Sequence, residues 1–156
     1  MSNLRDVPYE TTHLVRDTCL CLHVQRAART LSRLFDEALR PVGLTSGQFS
    51  LLNALNRPAP PSIAPVAQLL AMDRTTLTAA LKPLVRDGLV AVAKDPADRR
   101  NRLLSLTDKG RDVLASAIPI WRSLHAAIEA GMSGLEPDDL RGALTGLSRS
   151  KPMASA

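Results

Sequence analysis

Between Leu70 and Asp73 only Ala71 and Met72 remain to turn the chain from one helical segment into the next. The first segment follows Ser62, which is placed to cap a helix, tolerates Pro65 in its first turn and directs Ile63, Val66, Leu69 and Leu70 inward. Asp73 caps the second, Arg74 to Asp87, and Gly88 closes it as a left-handed C-terminal residue does. Two short helices joined this tightly, the second opening on an acidic cap and a polar first turn, match a helix-turn-helix pair. Such pairs are common, so the flanking segments decide what the pair belongs to.

Downstream, Leu89–Ala93 and Arg102–Leu106 are β-suited runs that bracket a polar loop of turn-forming residues, Lys94 to Asn101. A helix-turn-helix followed at once by a basic hairpin is a winged helix. Thr107 caps the next helix, with Asp108 in its first turn; Val113, Leu114, Ala117, Trp121, Leu124 and Ile128 carry it to Ala130, and Pro119 predicts a kink. After Gly131, Ser133 and Gly134, Pro137 opens a last helix with Leu140, Leu144 and Leu147 on one face, and the tail 151–156 reads as loose.

Upstream, Leu20, Val24, Ala27, Leu31, Leu34 and Ala38 recur at helical spacing. They predict one helix from Leu14 to Arg40, roughly 39 Å long, more than a domain this small needs for its own core. Such a helix must lean on something beyond the domain. Thr45 and Gln48 fit a capping box ahead of Phe49, Leu52 and Leu55, and Arg57-Pro58-Ala59-Pro60-Pro61 is a stiff connector. The expected fold is mainly α with a small β-hairpin wing, one domain over residues 1–156.

Charge sorts along this order. The chain of 156 residues carries a net +5, and the window Asp73 to Arg111 holds 9 basic and 5 acidic residues, or +4 of that total. The second helix of the pair and the wing, the two elements of a winged helix that meet double-stranded DNA, account for most of the excess. With only Tyr9, Phe35, Phe49 and Trp121 as aromatics, base stacking on several surface rings is excluded, and any ligand pocket is expected to be aliphatic and charged. No apolar run approaches the roughly 18 residues a membrane span needs, so no membrane partner is expected. Cys19 and Cys21 cannot build a disulfide scaffold, which points to a reducing cytoplasm, and His13, His23 and His125 show no metal spacing. No nucleotide-binding or nucleophile motif occurs; the reading is of a protein without catalytic residues, metal or cofactor.

Within the window, the candidate DNA-contacting residues of the helix are Arg74, Thr75, Thr76, Thr78, Lys82 and Arg86. Thr75, Thr78 and Lys82 share a face: short hydroxyls let the backbone approach a groove, and Lys82 can reach a phosphate or a guanine edge. Leu77, Ala80, Leu81, Leu84 and Val85 are assigned to the inner side. Pro83 either bends the helix or ends its reading segment near Lys82. In the wing the candidates are Lys94, Asp98, Arg99, Arg100 and Arg102, with Asp98 pairing one arginine while another enters the minor groove. A merely solvated helix face and ordinary surface ion pairs are the plain alternatives.

Leu44 to Phe49, Asp73 to Thr78, Leu84 to Val90 and above all Asp95-Pro96-Ala97-Asp98-Arg99-Arg100 running into Leu106-Thr107-Asp108-Lys109-Gly110 resemble the MarR family of bacterial transcriptional regulators, over about Leu14 to Leu147. The resemblance implies a homodimer on a pseudo-palindromic operator, with residues 14–41 and 112–150 as dimerisation helices and 45–110 as the DNA-binding lobe. It implies repression relieved by a small-molecule effector or an oxidant. Cys21 lies where the organic-hydroperoxide-sensing branch places its reactive cysteine, but Gln25 and Phe35 stand where that branch has tyrosines. Cys21 as a possible redox residue therefore stands beside Cys21 as a small packing residue. Read on one continuous helix, Cys19 and Cys21 point to opposite sides and cannot bridge. Arg26, Arg29, Arg33 and Arg40 form a stripe able to hold an anion, or a solvated face through Arg33 and Glu37. An all-helical scaffold whose basic hairpin docks an acidic protein is the alternative from another class.

Overall fold

The computed structural model describes residues 6–150; the tail 151–156 lies outside them. The order is α1 (Tyr9–Thr18), α2 (Leu20–Leu39), a short 3-10 turn (Arg40–Val42), α3 (Ser46–Leu55), α4 (Ile63–Leu69), α5 (Arg74–Arg86), β1 (Val90–Lys94), β2 (Arg102–Leu106), α6 (Asp108–Ala130) and α7 (Pro137–Ser148). The strands form one antiparallel hairpin with Val90 opposite Leu106 and Lys94 opposite Arg102. A mainly α chain carrying a two-stranded wing is the architecture expected from the sequence.

Local side-chain chemistry sets the helix starts. The Thr45 side chain accepts from the Gln48 amide while Gln48 Oε1 accepts from the Thr45 amide, a complete capping box. Asp73 Oδ1 accepts from the Thr76 amide at 2.7 Å and Oδ2 from the Thr76 hydroxyl at 2.8 Å. These bonds, the amide first, hold the Asp73 carboxyl below the usual range. Ser62 occupies the cap position of α4 but makes no side-chain capping bond. Its backbone instead pairs with Leu103, and Pro61 O accepts from the Leu104 amide, so the connector joins the wing. The two-residue turn requires Ala71 at φ 51°, a left-handed conformation costly for a residue with a Cβ.

The long first helix is not continuous. It breaks at Cys19, whose ψ of 107° is extended, into α1 and α2. Thr11, Thr12, Val15 and Thr18 are weak helix formers, and the Thr18 hydroxyl donates to Leu14 O, a back-bond that bends helices. No residue of α1 is buried, so packing does not override these preferences. With Cys19 at a joint, the inference that two cysteines on one helix face apart no longer applies. Both prolines flagged as disruptive lie inside assigned helices: α5 runs through Pro83 to Arg86, and α6 through Pro119 to Ala130.

Every buried apolar residue among those described lies between Leu39 and Ala117. Leu52, Leu77, Leu84 and Leu104 are at its centre, joining α3, α5 and the wing in one lobe. α6 enters that lobe through Gly110. An added Cβ there would stand 2.0 Å from the Leu89 carbonyl oxygen, so only glycine permits this approach. Gly110→Ala should therefore lower stability by about 1–3 kcal/mol, read as a reduced urea midpoint with unchanged slope at fixed protein concentration. The lowered Asp73 pKa makes a second prediction. Its contribution is complete above the ordinary carboxyl value and is lost as pH falls through the lower folded-state value. The gap in urea midpoint between the parent and Asp73→Ala should be constant near neutrality and close below about pH 4.

Candidate nucleic-acid interface

The polar side of α5 and the wing flank one groove. A hollow of about 440 Å³ is lined by Thr78, Leu81, Lys82, Val85 and Arg86 from α5 and by Val92, Arg102 and Leu104 from the wing, with Ile63 completing it. Its lining is aliphatic apart from Thr78 and three cations, Lys82, Arg86 and Arg102. Val85, assigned to the inner side from sequence, is 41% exposed, because it follows Thr78 and Lys82 at seven and three residues on their own face. Leu77, Leu81 and Leu84 do face the core, and Ala80 is half-buried.

The six helix candidates are all exposed, but they differ in what they touch. Among the described residues, the side chains of Arg74, Thr75 and Lys82 make no hydrogen bond or ion pair. The Thr76 hydroxyl is committed to the Asp73 cap. Thr78 donates its hydroxyl to Arg74 O at 2.7 Å, which leaves its oxygen as an acceptor. Arg86 pairs with Asp87 at 2.9 Å; this bond holds the Asp87 carboxyl below its usual range, helped by the charge of Lys109.

The wing tip is braced from within. Asp95 Oδ1 accepts from the Ala97 amide, and Asp98 Oδ1 accepts from the Arg100 amide at 3.0 Å and from Arg100 Nε at 3.3 Å. Arg102 donates to Arg99 O and Asn101 O. The expected division between a pairing and a free arginine thus takes definite form: Arg100 is the partner of Asp98, and the Arg99 guanidinium is unpaired among the described residues. Lys94 is exposed at the end of β1, opposite Arg102 in the register.

Three features lie away from this face. Phe49 and Trp121, two of the four aromatics, line a hollow of about 360 Å³ with Asn53, Leu70 and Ile118. Their rings are 6.2 Å apart. Cys21 is exposed, accepts from Gln25 Nε2 at 3.2 Å, and opens on a hollow formed with Leu20, Val24, Leu144 and Leu147. In the arginine stripe, Arg29 donates to Gln25 and Arg33 to Thr30; Arg33 and Glu37 do not pair. Among the described residues no cluster of three metal-ligating side chains occurs, and no helix is long and apolar enough to cross a membrane.

Comparison with known proteins agrees with this geometry. Residues 44–110 match the winged helix DNA-binding domain family. The transcriptional activatory protein BadR of Rhodopseudomonas palustris is 36% identical over 97 residues, which span 60% of this chain and 55% of that protein. The repressor NicR of Pseudomonas putida is 30% identical over 78% of this chain and 73% of its own length. The M. tuberculosis regulator MosR in complex with DNA superposes with a TM-score of 0.78 at 36% identity, covering 85% of this chain and 95% of that one. A mutant MarR of E. coli complexed with operator DNA shares the fold at a TM-score of 0.75 and 23% identity, over 94% of this chain and 99% of that one. The chain belongs to the MarR family of winged helix DNA-binding transcriptional regulators.

Proposed function

We propose that the protein is a cytoplasmic homodimeric repressor that reads a pseudo-palindromic operator and is released by a small-molecule effector. The observation that carries the reading is the set of unpaired polar groups, Arg74, Thr75, Lys82 and Arg99, on α5 and the wing, the two elements that line one groove. α5 supplies the major-groove contacts and Arg99 the minor-groove contact, with Arg102, Lys94 and Arg86 adding positive charge. Arg100 and Asp98 shape the wing tip, and Thr76 holds the helix start.

Dimerisation is supported by what the lobe leaves bare. Tyr9, Leu14, Leu20, Leu31 and Leu34 on α1 and α2, and Leu144 and Leu147 on α7, are exposed, and neither α1 nor α7 contains a buried residue. Residues 14–41 and 112–150 serve as the dimerising arms around the reading lobe, 45–110. The Phe49–Trp121 hollow between α3 and α6 suits a small planar effector, because it lies where the lobe meets the arm. The exposed Cys21 sulfur, touched by Gln25, favours a second reading in which an organic peroxide is the signal.

Selection from random duplexes should return half-sites about 10 bp apart. On that duplex Arg99→Ala should weaken binding by about tenfold and lower the salt slope by about one unit, whereas Arg100→Ala should do less. Equal binding by the parent and Arg99→Ala in a mobility-shift titration refutes the wing assignment. For the signal, Cys21→Ser should abolish release by cumene hydroperoxide if the second reading holds; release equal to that of the parent leaves the pocket effector.

A further inference from the structure

The end of α5 is held from outside. Asp87 O accepts from Lys109 Nζ at 2.8 Å, Gly88 O from the Thr107 hydroxyl at 2.6 Å, and Leu89 O from the Thr107 amide at 3.1 Å. Three successive carbonyls following α5 are thus each taken by a donor at the start of α6. The Thr107 hydroxyl also accepts from the Gly110 amide at 2.9 Å, so one side chain caps α6 and grips the residue after α5. Within α5, Pro83 has no amide hydrogen to offer the Ala79 carbonyl, which weakens the connection between the last turn and the rest of the helix. A cation at a helix C-terminus offsets that weakness through the helix dipole.

From this geometry we infer that Lys109, together with Thr107, is a positioning residue for DNA reading: it sets the angle at which α6 presents α5, and with it the half-site separation the dimer accepts. The inference rests on the proposed reading of α5 as the DNA-contacting helix of a dimer. α6 is the physical link, since its first turn grips the end of α5, Ile118, Ile120 and Trp121 pack against the core in its middle, and no described residue beyond Trp121 is buried. A lysine engaged with a backbone carbonyl is a brace, whereas one on a phosphate is a counterion, and the two respond differently to salt and to operator geometry.

The test uses the duplex selected with the parent protein and two derivatives with one base pair inserted or removed between the half-sites. Lys109→Met keeps the aliphatic stem and removes the donor. It should weaken binding to the native spacing by about two- to fivefold, shrink the preference over the altered spacings by a similar factor, and leave the salt slope unchanged. Lys109→Arg, which can still donate to Asp87 O, should restore the preference. A salt slope lowered by about 0.9 with the spacing preference intact would make Lys109 a phosphate contact and overturn the inference. A lower urea midpoint with the preference intact overturns it too, by showing a role in folding alone. Should the parent select no duplex, the DNA-reading assignment fails, and the inference with it.

Discussion

Gly110 presents no side chain to the Leu89 carbonyl, and that single allowance lets the first turn of α6 lie against the end of α5. Around it the chain closes a short circuit. α5 ends at Arg86 and the chain turns at Gly88, in a left-handed conformation; β1 leaves from Val90, β2 returns opposite it to Leu106, and Thr107 grips Gly88. The wing is therefore anchored at both of its ends to the residues that terminate α5. The groove between helix and wing, which Lys82, Arg86 and Arg102 help to line, has its shape because this circuit is closed.

The hydrophobic effect divides the molecule into two kinds of surface. Leu39 to Ala117 supply all the buried apolar side chains among the described residues, so the core sits in the lobe and is closed by Leu39 of α2 and by Leu114 and Ala117 of α6. α1, the outer face of α2 and α7 carry apolar side chains, among them Leu14, Leu20, Leu31, Leu144 and Leu147, and leave them exposed. Large exposed apolar surface of this kind is the feature on which the proposed dimer rests. Charge follows the same division, for +4 of the net +5 lies from Asp73 to Arg111, within the lobe.

On the polar face, acidic residues decide which cations are committed. Asp98 takes Arg100, Asp87 takes Arg86 and Asp108 takes Arg111. Exposed pairs of this kind contribute at most about 1 kcal/mol each to stability, so their effect is to orient side chains. Arg100 remains 92% exposed while bonded to Asp98, so it stiffens the wing tip without leaving the surface. Among the described residues Arg74, Lys82 and Arg99 are left without a carboxylate.

The caps at Thr45, Asp73 and Thr107, the two-residue turn, the hairpin strands and the concentration of charge were all determined by the sequence, because each depends on residues within a few positions of one another. The face that Thr78, Lys82 and Val85 share was also written in their spacing, and was obscured only because valine was assigned inward by its hydropathy. Other features were decided by tertiary structure. The break at Cys19 follows from α1 having nothing to pack against, so that weak local preferences prevail. The choice of Arg100 rather than Arg99 by Asp98 depends on how the wing tip folds back on itself. The hollow between Phe49 and Trp121 unites residues 72 positions apart, and the grip of Lys109 on Asp87 O spans 22. No periodicity reports such contacts, since they exist only once α3, α5 and α6 have been brought together around the core.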